Sequence, residues 1–209
     1  MNVRSFTTAF RDGAKFEASY GEFVFQTQEP CSLLLTSGKI VACDPFFLND
    51  EVSPFSISVA PGEYPVVLSI AHVPKNSDQR VSCAMIQFQK KSPVRFSMAL
   101  TAGQSLDDLR AGHFYGYGVD AGTGCFTDAD NVRLFEDPDG DHLLEELERT
   151  YVHTWSWANL SVNPATGGNI VAFSSGFGDD VYPSYFGYDE RADLVCLVTD
   201  FMIFDSDNS

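Results

Sequence analysis

Positive charge is scarce in this chain of 209 residues. Lys and Arg number 13 against 29 Asp and Glu, which leaves a net charge of −16 and a pI near 4.3. Nucleic acids and anionic membranes are held by positive surfaces that displace counterions, so the balance argues against both as direct partners. It leaves room for a cationic protein, a small ligand, a bound metal ion or a surface that is merely soluble. Cysteines at metal or redox spacing are also missing. The five Cys occupy EPCSL, VACDP, VSCAM, TGCFT and LVCLV. Without C-x-x-C or a nearby His pair, they fit free thiols in a reducing compartment better than a zinc site or a disulfide framework. No apolar run approaches a bilayer span, and MNVRSFTTAFRDGAKF lacks an apolar core of signal-peptide length. A cytoplasmic location is the expectation.

Catalytic spacings are equally sparse. Gly116, Gly118, Gly122 and Gly124 would let backbone approach a phosphate, yet no helix follows and no Lys-Ser/Thr pair is present, so P-loop and Rossmann readings fail. Phe173-Ser174-Ser175-Gly176 lacks the Gly two residues before a nucleophilic Ser. The run from Asp137 to Glu148 imitates an EF-hand only until its sixth position, where His142 replaces the required Gly. His72, His113, His142 and His153 share no metal-ligand spacing.

What is abundant is sheet-forming. The length suits a single domain over 1–209, long enough to bury well over half of its unfolded surface. The 18 Phe and 8 Tyr favour pleated, half-buried surfaces. Phe6, Phe10, Phe16, Tyr20, Phe23 and Phe25, punctuated by Gly13 and Gly21, predict short strands over residues 1–30. Leu33–Leu35 and Ile40–Cys43 read as a hairpin about Thr36-Ser37-Gly38-Lys39, closed by Asp44-Pro45. Further strands are predicted at Phe55–Val59, Tyr64–Val73, Val81–Phe88 and Val94–Leu100. Pro61-Gly62 forms a type II turn in this reading. Ser105–Leu109 predicts one capped helical turn.

One amphipathic helix is expected near 140–153, with Leu144, Leu147 and Tyr151 on one face beside Leu143. Strand resumes around Trp155 and Trp157, Asn163–Asn169 is a loop, and Ile170–Phe173 and Leu194–Phe204 are apolar strands. The fold class that follows is mainly β (a β-rich α+β chain), an antiparallel sandwich or partly open barrel with one amphipathic helix.

Two segments dense in Gly and Asp hold most of the chemistry, Gly116–Asp128 and the stretch between the last two apolar strands. Their carboxylates offer oxygen ligands for Ca²⁺ or Mg²⁺, or paired acid and base groups. They are equally suited to capping Gly-rich turns. The candidate pocket comprises Asp44, Asp120, Asp128, Asp179, Asp180, Tyr182 and Asp200, with Asp120, Asp128 and Asp179 as the metal set. Tyr182, Tyr185, Phe186 and Tyr188 offer amphipathic contact area or an aromatic cluster beneath a loop. All of this requires the two segments to become neighbours at one end of the sheet structure.

SGKIVACDP (Ser37–Pro45), PGEYPV (Pro61–Val66), GYGVDAGTGCFTD (Gly116–Asp128), FSSGFGDDVYPSYFGYD (Phe173–Asp189) and LVTDF (Leu197–Phe201) follow one another along the chain. In that order they resemble the domain-of-unknown-function 4241 family of mostly bacterial proteins. The resemblance implies a family-like core over 33–204, with residues 1–32 as N-terminal strands packed on it, and brings no established activity. It also implies Trp where Phe177 stands and Gly where Asp180 stands, so Asp180 adds a charge to that turn.

Two functions are compatible with these features. One is a protein- or ligand-binding module, immunity-like, holding a cationic partner. The other is a metal-dependent hydrolase using an Asp cluster in the 116–130 and 174–200 loops. The lack of a positioned base or nucleophile favours binding.

Overall fold

The structure, a computed structural model, describes residues 3–18, 21–135, 137 and 139–203. Tyr20, Pro138 and Phe204 of the sequence reading lie outside the described residues. The first half contains helix α1 (Val3–Ala9) and strands β1 (Lys15–Ala18), β2 (Gly21–Leu35), β3 (Ile40–Cys43), β4 (Gly62–Val73), β5 (Asp78–Gln87) and β6 (Arg95–Met98). The second contains β7 (Tyr117–Val119), β8 (Thr123–Asp128), helix α2 (Asp141–Arg149), β9 (Trp157–Asn163), β10 (Gly168–Ser174), β11 (Asp180–Tyr182), β12 (Ser184–Tyr188) and β13 (Leu194–Asp200).

A seven-stranded antiparallel sheet in the order β1-β2-β4-β5-β13-β12-β6 curls as a half-barrel over a four-stranded one, β3-β8-β10-β9. The central core lies between them. Leu68, Ile86, Phe186 and Leu197 from the first sheet meet Ile40, Phe126, Val171 and Phe173 from the second. Each fully buried side chain of this size stabilises the fold by about 1.5–3 kcal/mol relative to exposure. Because side chains alternate across a strand, the residues between them fill two outer clusters. Phe23, Phe25, Cys83, Met85 and Val198 lie beneath α1. Val41, Cys125, Ile170 and Ala172 lie beneath α2. The molecule is therefore four layers deep, and β5, β10 and β13 are buried on both faces. That explains the largely apolar runs at their centres.

The mainly β class is as expected, with local corrections. Residues 3–9 form a helix rather than a strand, because Phe6 and Ala9 fall three apart and both bury onto the seven-stranded sheet. The Phe6 ring lies 4.8 Å from Phe96 and 5.5 Å from Tyr185. The Leu33–Cys43 hairpin is absent: β2 and β3 belong to different sheets, and residues 36–39 cross from one to the other. Phe55–Val59 is no strand. Its backbone bonds singly to Ile40, Leu100 and Gly38, while Phe55 and Val59 cover the central core. Gly62 starts β4 instead of ending a type II turn.

Helix α2 is shorter than expected. Leu143 and Leu147 are buried, whereas Leu144 is 47% and Tyr151 61% exposed. Its EF-hand-like prelude serves as a cap: the Asp137 carboxylate accepts the N–H groups of Leu143 at 2.9 Å and His142 at 3.3 Å. Ser105 caps its helical turn as expected, accepting from Asp107 N at 3.2 Å. Among the described residues, no helix is long and apolar enough to cross a membrane.

Candidate functional site

The two Gly- and Asp-rich segments meet. β7 pairs with β11, Gly118 opposite Val181 and Val119 opposite Asp180. The loops beyond are joined by Gly122 N donating to Asp179 Oδ1 at 2.8 Å and Ser175 N donating to Gly122 O at 3.0 Å. Gly116 makes the approach possible, since a Cβ there would stand 2.6 Å from the Tyr182 carbonyl oxygen.

Asp44 fixes this assembly from below. It is buried and follows β3, and its Oδ1 caps the 3-10 turn Pro45–Phe47 by accepting from Phe46 N at 2.9 Å. Its Oδ2 accepts from Asp120 N at 2.9 Å and Ala121 N at 3.1 Å. One carboxylate thus satisfies three backbone donors from two separate segments, as a capping Asp does within one.

Asp128 has a parallel role at the opposite end of β8. It is fully buried and accepts from Ser37 Oγ at 2.7 Å, Ser37 N at 3.0 Å, Gly38 N at 3.2 Å, Thr36 Oγ1 at 3.3 Å and Asp130 N at 2.9 Å. Those donors belong mainly to the inter-sheet crossing. Asp200 lies apart from both. Its register partner is Cys83, which faces the outer cluster beneath α1, and Asp200 Oδ1 accepts from Met202 N at 2.9 Å.

Tyr182 packs inward. Its ring meets Phe201 edge-on at 4.9 Å, and its hydroxyl donates to Gly178 O at 2.7 Å. Burial, followed by the negative charge of Asp180, pushes the phenol up to about 12, so it acts as a neutral donor tying the turn. Of the candidate residues, the structure therefore gathers Asp44, Asp120, Asp179, Asp180 and Tyr182 around one loop pair. Asp128 and Asp200 are elsewhere. Among the described residues, no three His, Cys, Asp or Glu side chains are grouped to hold a metal ion.

An open cavity of about 560 Å³ lies over the loop pair, lined by Phe47, Gly118, Val119, Asp120, Asp179, Asp180 and Val181. A neighbouring cavity of about 390 Å³ shares Phe47 and Gly118 and reaches Cys43, Asp44, Glu51, Ser53 and Tyr117. Among the described residues, every charged one lining either cavity is acidic. Phe47 is 55% and Val181 44% exposed, so the carboxylates surround apolar surface that water still covers.

Phe47, Glu51 and Val181 were missed from sequence. A signal for Phe47 existed: Asp44-Pro45 starts a tight turn, and neighbouring side chains on such a turn diverge. Phe46 takes the inward place against the α2 cluster, which leaves Phe47 outside.

A third cavity, about 420 Å³, borders Ser32, Glu63, Asn159, Ser161 and Asn169. The Asn169 amide accepts from Leu34 N and donates to Ser32 O, both at 2.9 Å. It thereby acts as the missing neighbour on this part of the β2 edge. Its polar groups are used up in joining the sheets.

A family model described as Protein of unknown function (DUF4241) matches residues 33–199. No curated protein and no solved structure matches.

Proposed function

The chain belongs to the DUF4241 family of proteins of unknown function, and on that premise we propose that it is a binding module for a basic protein segment with an apolar anchor. The face around Phe47, Asp120, Asp179, Asp180 and Val181 is the contact surface. The single observation that carries this reading is the pairing of exposed Phe47 and Val181 with a cavity whose charged lining, among the described residues, is made of carboxylates. The net charge of −16 draws a cation towards the protein and raises its rate of encounter. The apolar anchor then displaces water from Phe47 and Val181, the type of contact in which a few aromatic residues carry most of the affinity. Asp44 holds Asp120 and Ala121 by their backbone, so the loop is ordered before the partner arrives and less entropy is lost on docking. A basic toxin held by an immunity protein is one partner of this chemistry.

The metal-dependent hydrolase is the weaker reading, because Asp128, one of its three expected ligands, stands apart from Asp120 and Asp179, and its oxygens already accept from Ser37, Gly38 and Asp130.

Calorimetric titration with synthetic basic peptides, with and without a central aromatic residue, tests the proposal against an acidic control peptide. Affinity should be highest for the aromatic basic peptide and fall with added salt. Phe47→Ala and the double change Asp179→Asn/Asp180→Asn should each weaken it about tenfold, which is about 1.4 kcal/mol. Binding that ignores both variants, or none at all, would retire this face.

A further inference from the structure

We propose that Cys43 and Cys125 form a redox pair, a dithiol that oxidises reversibly to a disulfide joining β3 to β8. The inference stands whether or not the acidic face binds a partner. The two residues are direct register partners on adjacent antiparallel strands, and their sulfurs lie 3.6 Å apart. Opposed antiparallel residues have Cα atoms about 4.5–5.5 Å apart, inside the roughly 4.4–6.8 Å span a disulfide bridges. Bond formation therefore asks the sulfurs to close to about 2.05 Å by side-chain rotation, with the strands left in place. The other cysteines do not compete for this bond. Cys83 and Cys196 lie in the cluster beneath α1, and Cys31 packs against the central core.

Access is one-sided. Cys43 lines the open cavity of about 390 Å³ beside Phe47, Glu51 and Ser53, while Cys125 is fully buried behind it. A low-molecular-weight disulfide, RSSR, is the oxidant class this requires. The Cys43 thiolate attacks one sulfur of RSSR, forming a mixed disulfide and expelling RS⁻, which takes up the Cys43 proton. The Cys125 thiolate then attacks the Cys43 sulfur and expels the second RS⁻, which takes up the Cys125 proton. Two protein thiols lose two electrons, and RSSR gains them as two RSH. The Cys125 hydrogen bond, then burial, hold the Cys43 thiol well above its ordinary range, so the exchange is slow at neutral pH and quickens as pH rises.

The consequence is mechanical. The cross-link would close a loop between residues 82 positions apart and restrict the unfolded chain. It would also fasten the strand that leads directly into Asp44.

The test uses the full chain carrying Cys31→Ser, which removes the partly exposed thiol and suppresses cross-linking between molecules. The protein is incubated with glutathione disulfide from about pH 7 to about pH 9, quenched in acid, denatured and alkylated. Of the remaining thiols, two should escape alkylation. Proteolysis without reduction should yield one joined peptide pair containing Cys43 and Cys125, and dithiothreitol should restore both thiols. The yield should rise with pH. In Cys125→Ala the same treatment should stop at a glutathione adduct on Cys43. The peptide map of the parent protein decides the matter even if that variant does not fold. Alkylation of every thiol, or a bridge through any other cysteine, would overturn the proposal.

Discussion

Asp44 Oδ2 accepts the backbone N–H of Asp120 at 2.9 Å across 76 positions of sequence, so one acidic side chain holds the main chain of the loop that carries another. Asp44→Ala strands the N–H groups of Phe46, Asp120 and Ala121. A buried donor left without its acceptor costs about 1–3 kcal/mol, and water entering the adjoining cavity will offset part of the sum. A net loss of about 2–3 kcal/mol is expected in urea unfolding. Amide hydrogen exchange should accelerate at Asp120 and Ala121 before it does so in β5, which distinguishes a loosened loop from general destabilisation.

Asp128 anchors the crossing between the sheets, and the consequences grade by how much of its network is removed. Ser37→Ala deletes one acceptor-bound hydroxyl and should cost about 1 kcal/mol. Asp128→Ala deletes the acceptor for Ser37 N, Gly38 N and Asp130 N together and should cost about 3 kcal/mol or more. Denaturant midpoints for the two variants, at unchanged slope, check the order. Equal losses would mean that the carboxylate is redundant.

Helix α2 supplies a prediction in which two leucines three positions apart behave oppositely. Leu147 is buried under the four-stranded sheet, so Leu147→Ala should cost about 2–5 kcal/mol through lost transfer energy and the cavity left behind. Leu144 is 47% exposed, and Leu144→Ala should stay within about 0.5 kcal/mol of the parent. Thermal unfolding of both variants decides which stripe faces the sheet.

The two leucines also show how far sequence carries. The period of α2 was legible, but Leu143, Leu144 and Leu147 admit two stripes, and only the sheet beneath selects Leu143 with Leu147. The same limit explains α1. Phe6, Phe10, Phe16 and Phe23 mix helical and strand spacings, and a seven-residue segment takes its structure from the surface it covers. Tyr64–Val73 and Val81–Phe88 were legible because they are long and apolar. Leu33–Leu35 and Ile40–Cys43 were legible as strands but not as members of different sheets. A four-residue link with one Gly fits a hairpin or a crossing, and the choice lies with Asp128, some 90 residues away. Composition marked the two Gly- and Asp-rich segments, but their meeting was a requirement rather than a reading, and the pairing of β7 with β11 supplies it. That Asp128 and Asp200 leave the group was not legible, since strand register decides which way each carboxylate points.

Asp200 gives a pH prediction whose sign is opposite to the usual carboxylate case. It is fully buried, and its Oδ2 has no hydrogen-bond partner among the described residues. Burial pushes its carboxyl up to about 7 from an ordinary 3.8, against the pull of the Met202 N–H. Below 3.8 both the folded and the unfolded chain hold the proton, and Asp200 imposes no penalty. Between 3.8 and about 7 only the folded chain holds it, so stability falls as pH rises, by up to about 1.4 kcal/mol per pH unit. Above that window both forms are ionised and the penalty is constant. Asp12 and Asp189 act in the other sense, since Thr27 and Lys91 hold their carboxyls below 3.8. The comparison must therefore be between the parent and Asp200→Asn rather than between pH values alone. Urea unfolding at intervals from about pH 4.5 to about pH 8.5 should show Asn gaining on Asp as pH rises, with the difference levelling once the folded-state pKa is passed. Parallel stability curves would show that the Asp200 carboxyl titrates alike in the folded and unfolded chain, and its burial would then carry no proton.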